Sequence, residues 1–121
     1  MLPLRFRLNA RQFKTIYNSG EKYRGEFGML VVKRDLAVSN PKFGFVVSKK
    51  IGNAPTRHRM TRLLRNISME IIKEYGLQEK PYLCQYIAFK FTDSYSVLKE
   101  EYGKQILKAF EVNEKDRIVS N

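Results

Sequence analysis

From Leu36 to Met69 the chain contains no aspartate and no glutamate; of the 12 acids in its 121 residues, Glu21, Glu26 and Asp35 come before that stretch and the rest follow from Glu70. Tryptophan is absent, and cysteine occurs once, at Cys84. A lone cysteine excludes an intrachain disulfide, and its place in the apolar run Tyr82 to Phe91 predicts a buried thiol in a reducing compartment. No stretch approaches the roughly 18 apolar residues of a membrane-spanning helix. Arg5 and Arg7 interrupt what would be the apolar core of a signal peptide. The expected location is therefore cytoplasmic. His58 is the sole histidine, so no His/Cys cluster has metal-ligand spacing. Asp35 is the last acid before Glu70, which leaves the basic half without paired carboxylates for a two-metal nuclease site. A glycine-rich phosphate loop and a nucleophile elbow are also missing. These absences give no support for chemistry performed by the protein's own side chains.

What the acid-free stretch does hold is Lys42, Lys49, Lys50, Arg57, Arg59, Arg62 and Arg65. The net charge of +11 resides wholly in the first 69 residues, because from Glu70 onward nine acids outnumber eight cations. Positive charge concentrated in one stretch produces a field with a direction, the footprint of a nucleic-acid surface. A hydrophobic content of 43%, with eight Phe and seven Tyr, is that of a globular chain rather than a disordered one. The length fits one domain over residues 1–121, without internal repeats or an interdomain linker.

Local signals divide that domain. Asn9 and Gln12 have capping-box spacing, and Leu8 with Phe13 the spacing of a hydrophobic staple, so a helix is predicted from Ala10 to about Asn18. Gly20 is expected to end it in a left-handed conformation. Tyr23 to Lys33 and Phe43 to Ser48 read as two strands, separated by a turn at Asp35 to Lys42 and expected to pair antiparallel. Pro55 near the first helical position starts a long helix that Gly76 stops near Tyr75. On a helical wheel Met60, Leu63, Leu64, Ile67 and Ile71 share one face, while His58, Arg59, Arg62 and Arg65 lie on the opposite one. Tyr82 to Phe91 reads as an apolar strand, and Val97 to Val112 as a last helix that Gly103 weakens by about 1 kcal/mol. The polar tail from about residue 113 to 121 is expected to fray.

The long helix has a chemistry that geometry alone suggests. Arg57, Arg59, Arg62 and Arg65 fall within nine residues with no acid near them in sequence, an arrangement that repels itself unless an external anion is bound. Guanidinium forks hold phosphate oxygens in bidentate fashion, and the helix N-terminus behind Lys49, Lys50 and Asn53 adds free N-H groups and the positive end of a dipole.

The run Phe43-Gly-Phe-Val-Val-Ser-Lys-Lys-Ile-Gly-Asn-Ala54, followed by Arg57, His58, Arg59 and then Arg62-Leu-Leu-Arg65, closely resembles the signature of the bacterial ribonuclease P protein component. Phe13 and Tyr17 four apart before Gly20, the order of elements and the overall length extend the resemblance across the chain. His58 stands where the family motif has Asn, and Thr61 where the family often has Lys. An imidazole can still donate a hydrogen bond to RNA, whereas Thr61 removes a cation.

The resemblance implies an α/β fold of α-β-β-α-β-α order, a small mixed sheet, and a left-handed crossover through the Arg-rich helix, against the usual right-handed preference. It implies a protein subunit that binds ribonuclease P RNA and precursor tRNA, with the RNA and its Mg²⁺ performing hydrolysis and no cofactor or catalytic residue on the protein. Carried onto this chain, the RNA-binding set is Lys49, Lys50, Asn53, Arg57, His58, Arg59, Arg62 and Arg65. A cleft between the first helix and the sheet would take the single-stranded 5′ leader at Phe13 and Tyr17, and on one face of the strand from Phe27 to Val32. No membrane and no obligate protein partner are implied. The competing class is a structural, ribosomal-type rRNA-binding protein; a DNA-binding role is weaker, because no preceding helix forms a helix-turn-helix with the Arg-rich one.

Overall fold

A computed structural model describes residues 2–118. Helix α1, Ala10–Ser19, starts at the predicted capping box: the Asn9 side chain accepts from the Gln12 N-H at 2.8 Å and the Gln12 side chain from the Asn9 N-H at 2.9 Å. Gly20 ends the helix in extended backbone (φ −85°), not in the left-handed conformation expected of it. Its lack of a side chain serves a close approach instead, since a Cβ there would lie 2.7 Å from a methyl of Val31.

The predicted strand from Tyr23 to Lys33 is two strands, β1 at Glu21–Arg24 and β2 at Gly28–Arg34, joined by a tight turn and paired antiparallel. The Glu101 carboxylate holds that turn by accepting from the N-H groups of Glu26 and Phe27 at 2.5 and 2.9 Å. Strand β3, Lys42–Val46, does not pair with β2 as expected. Strand β4, Tyr82–Ala88, lies between them, antiparallel to β2 and parallel to β3, giving the order β1-β2-β4-β3. The reason is burial. Leu83, Cys84, Gln85 and Tyr86 are consecutive and all buried, and only a central strand covers both faces of such a run.

Helix α2, Ala54–Tyr75, connects β3 to β4, and α3, Tyr95–Ala109, follows β4. The described elements thus form a mixed α/β fold with one strand more than the expected order. Leu30, Val32, Cys84 and Tyr86 face α2 and α3 and join Met60, Leu64, Ile67, Leu98, Tyr102 and Ile106 in the core. Tyr86 and Tyr102 meet edge to face at 4.8 Å, and the Tyr102 hydroxyl shares a 2.8 Å hydrogen bond with buried Ser68. Gly103 allows the two helices to approach: a Cβ there would lie 3.2 Å from the Ile71 side chain. Burial pushes the Cys84 thiol pKa well up, as befits an inert core cysteine.

Alternation along the strands sends Met29, Val31, Gly44, Gln85 and Ile87 to the other face, where α1 packs. Residues 113–118, expected to fray, form a short 3-10 turn, with the Ile118 N-H bonded to the Glu74 carbonyl at 2.8 Å. The rest of the polar tail, from residue 119, lies outside the described residues. No helix among the described residues is long and apolar enough to cross a membrane.

Candidate nucleic-acid interface

The basic surface begins where β3 ends. Lys49 and Lys50 sit exposed in a 3-10 turn, Lys49–Ile51, that leads into α2 through Gly52. Gly52 has φ +152°, a backbone state essentially restricted to glycine, so the turn's shape depends on that residue. Asn53 then caps α2, its side-chain oxygen accepting from the Thr56 N-H at 3.0 Å. That oxygen is committed to the fold, which leaves the amide NH₂ as the donor Asn53 has for a ligand.

Two neighbouring hollows lie between α2 and the outer edge of β3. Val47, Arg57, His58, Thr61 and Arg65 line the first; Arg7, Gly44, Phe45, Thr61 and Arg65 contribute to the second. Arg57 is half-buried, and its Nε is enclosed with no hydrogen-bond partner among the described residues. Thr61 turns its hydroxyl back to the Arg57 carbonyl at 2.9 Å and lines both hollows. Arg7 reaches this surface because the N-terminal segment docks on the β3 edge, with the Leu8 N-H bonded to the Phe43 carbonyl at 3.0 Å.

The expected set therefore divides. Arg57, His58 and Arg65 converge on one hollow, Arg62 projects into solvent on the same flank, and Arg59 faces away to meet Asp93 at 3.5 Å. That last contact is exposed at both ends and worth little. Arg57, Arg62 and Arg65 have no ion pair among the described residues. Three or more His, Cys, Asp or Glu side chains in a metal-binding group are not found among the described residues either.

On the opposite face of the sheet α1 stands as a wall. Phe13 is half-buried, packed so closely over Gly44 that a Cβ there would lie 2.1 Å from its ring. Tyr17 is 45% exposed, with the Lys22 ammonium 4.8 Å from its ring centroid. The two aromatics differ accordingly: Phe13 fixes α1 to the sheet, and Tyr17 offers ring surface beside a cation. Val31 lies under α1, while buried Met29 and half-buried Ile87, paired across β2 and β4, continue the same face beyond it. Arg7, Lys22, Arg24 and Phe89 border these surfaces and went unnamed in the sequence-based set. Their only sequence signal was charge or aromaticity outside the signature.

The ribonuclease P family model matches residues 3–108. The ribonuclease P protein component of Kocuria rhizophila is 42% identical over 76 residues, covering 61% of this chain and 66% of that protein. That of a Pseudanabaena species is 38% identical over 82 residues, covering 64% and 71%. Across the first curated relatives the matched segment spans 48% to 71% of their length. The Staphylococcus aureus RNase P protein structure superposes with a TM-score of 0.71 at 18% identity, covering 87% of this chain and 97% of that one. The Thermotoga maritima RNase P protein, in complex with 1-(4-fluorophenyl)-2-thiourea, gives 0.60 at 21%, covering 93% and 100%. At such identities these structures speak to the fold. With a sequence match that runs through α1, the sheet and α2 into α3, and a backbone shared with solved members, the chain belongs to the ribonuclease P protein family.

Proposed function

We propose that this chain is the protein subunit of ribonuclease P, a cytoplasmic protein that binds the catalytic RNA through the hollow between α2 and β3. On this reading it presents the cleft beside α1 to the 5′ leader of precursor tRNA. The observation that carries the proposal is the convergence of Arg57, His58 and Arg65 on one hollow, in a stretch free of acids and with neither arginine in an ion pair among the described residues. A surface meant only to be soluble would neutralise such groups; here phosphate oxygens would do so.

The division of labour follows. Lys49, Lys50, Arg57, His58, Arg62 and Arg65 position the RNA through its backbone, with Arg59 able to exchange Asp93 for phosphate, and Asn53 chiefly shapes the helix start. Mg²⁺ bound by the RNA supplies the hydrolytic chemistry, and the protein's side chains orient substrate. Phe13 and Tyr17 give the cleft its aromatic wall, and single strands stack on such rings with about 1–3 kcal/mol per base.

Added to a bacterial ribonuclease P RNA at low Mg²⁺, the protein should raise cleavage of precursor tRNA and favour leader-bearing over leaderless tRNA. No effect with several such RNAs rejects this role in favour of a structural rRNA-binding one. Counterion release supplies an independent measurement. If five to seven cations meet phosphates, log affinity falls against log salt with a slope of about −4 to −6. A slope near −1 would mean that the cluster stays solvated.

A further inference from the structure

The cleft and the basic helix start at opposite sides of the molecule, and one exposed aromatic lies between them. Phe89, 39% exposed, directly follows β4, and its N-H bonds to the Phe27 carbonyl at 2.7 Å. The Arg24 guanidinium stands 5.4 Å from its ring centroid. Register fixes where this pair sits. Arg24 pairs with Met29, Met29 with Ile87 and Ile87 with Val46, a row crossing all four strands on the α1 side and lying beyond the Val31 row that α1 covers. Phe89 comes two residues after Ile87, so it stands past that row, facing α1 across it. Strands β3 and β4 run parallel, and so Phe89 also reaches the end of the sheet from which Ser48, Lys49 and Lys50 lead to α2. In open α/β sheets the carboxyl ends of parallel strands are where ligands gather.

The charges agree with an RNA occupant. Arg24 has no ion pair among the described residues, although two acids lie close by. Glu26 is bound to Lys90 at 2.5 Å, and Glu101 is occupied by the backbone of the β1–β2 turn. Arg24 therefore retains a free fork next to an open ring.

We infer that Phe89 and Arg24 form the far wall of the cleft, a base-stacking platform with its own phosphate clamp. It binds single-stranded RNA of the precursor leader and makes one track from α1 to the Lys49–Lys50 turn. The inference rests on the leader-binding role proposed above and adds a recognition site for one nucleotide. A base stacks on the Phe89 face, and the guanidinium that now rests on the ring holds the adjacent phosphate. Stacking tolerates any base, so the platform reads the presence of a nucleotide more than its identity.

The experiment uses the holoenzyme assembled with a bacterial ribonuclease P RNA and precursor tRNAs whose leaders are shortened one nucleotide at a time. Phe89→Ala is expected to weaken binding of long-leader precursor roughly 5- to 100-fold, with binding of leaderless tRNA unaffected. Phe89→Tyr should restore affinity and Phe89→Leu should not, which separates stacking from mere apolar contact; circular dichroism melts of all three verify folding. Arg24→Gln should lower affinity for the same leaders and reduce the salt slope by about one. If the wild type prefers leaders and Phe89→Ala and Phe89→Leu do so equally well, the platform is rejected while the leader cleft stands. If the wild type shows no leader preference at all, both are rejected together.

Discussion

Helix α2 is one element with two electrostatic halves. From Arg57 to Arg65 its cations face solvent or the hollow beside β3, and Arg59–Asp93 is the one ion pair that this half makes among the described residues. From Glu70 to Tyr75 the two acids are satisfied by cations of the fold. Glu74, 5% exposed, takes Lys99 at 3.2 Å and Arg117 at 3.1 Å; Glu70 takes Lys99 at 3.0 Å and a hydrogen bond from the Tyr95 hydroxyl. Both halves use the same helix and the same buried apolar stripe. The difference teaches which charges belong to folding and which await a partner: the first half has cations without acids, the second has acids that recruit cations from α3 and the tail.

Removing charge from the first half should have the largest effect. Replacing Arg57 and Arg65 together with Ala forfeits two charge-assisted contacts of about 1.5 kcal/mol or more each, so ribonuclease P RNA affinity should fall roughly 100-fold at physiological salt. Unfolding free energy should stay within about 0.5 kcal/mol, as for other changes that break no internal pair. A filter-binding titration beside a urea melt measures both, and a large loss of stability with unchanged affinity would reverse the assignment of this half.

The second half should behave in the opposite manner. Glu74→Ala leaves Lys99 and Arg117 facing an emptied site, and about 2–3 kcal/mol of stability should go with it, less than for a fully buried pair because both cations are partly exposed. RNA affinity per folded molecule should not change. A tenfold affinity loss in the folded fraction would show that the network contributes to binding after all.

Asn53 sharpens the boundary, because it belongs to the basic region by sequence and to the fold by geometry. Asn53→Ala should cost about 1 kcal/mol as a lost helix cap, while Asn53→Asp keeps the cap and places an acid beside Lys49 and Lys50. RNA affinity is then the discriminating readout. A loss in the aspartate variant only marks a cap in a phosphate field, and a loss in both marks a donor to RNA.

The pattern of legibility follows the same division between local and distant causes. The Asn9–Gln12 box, the helix stop at Gly76 and the two faces of α2 were readable because each depends on residues within a few turns. The pairing of β2 and β3 was misjudged because proximity in sequence favours neighbours, while the doubly buried β4 takes the centre. Gly20 is glycine for Val31, a residue on another strand, and no turn pattern reveals that. At the site, helical spacing put His58, Arg59, Arg62 and Arg65 on one outer face, but the hollow that gathers Arg57, His58 and Arg65 also needs Val47 beyond the end of β3, which no helical spacing contains. The partner of Arg59 and the approach of Arg7 and Phe89 depend on the path of the chain far from the signature.

Alkaline pH gives the mildest separation of the halves. Burial alone would lower the Lys99 pKa, but its hydrogen bonds to Glu70 and Glu74 outweigh that and hold it above the ordinary 10.5. The charged ammonium is thus favoured by folding, and its contribution is complete below pH 10.5 and lost as pH rises through the elevated value. Guanidinium groups stay charged throughout that window, so the Arg57–Arg65 half does not follow. Unfolding free energies from pH 9 to 11.5 should decline for the wild type and less steeply for Lys99→Met. The comparison is a difference between the two proteins because Tyr23, raised to about 12 by burial and then by its Glu21 hydrogen bond, contributes a decline common to both. Parallel curves would mean that Glu74 is held by Arg117 alone, and the second half of α2 would then owe its satisfied charges to the tail rather than to α3.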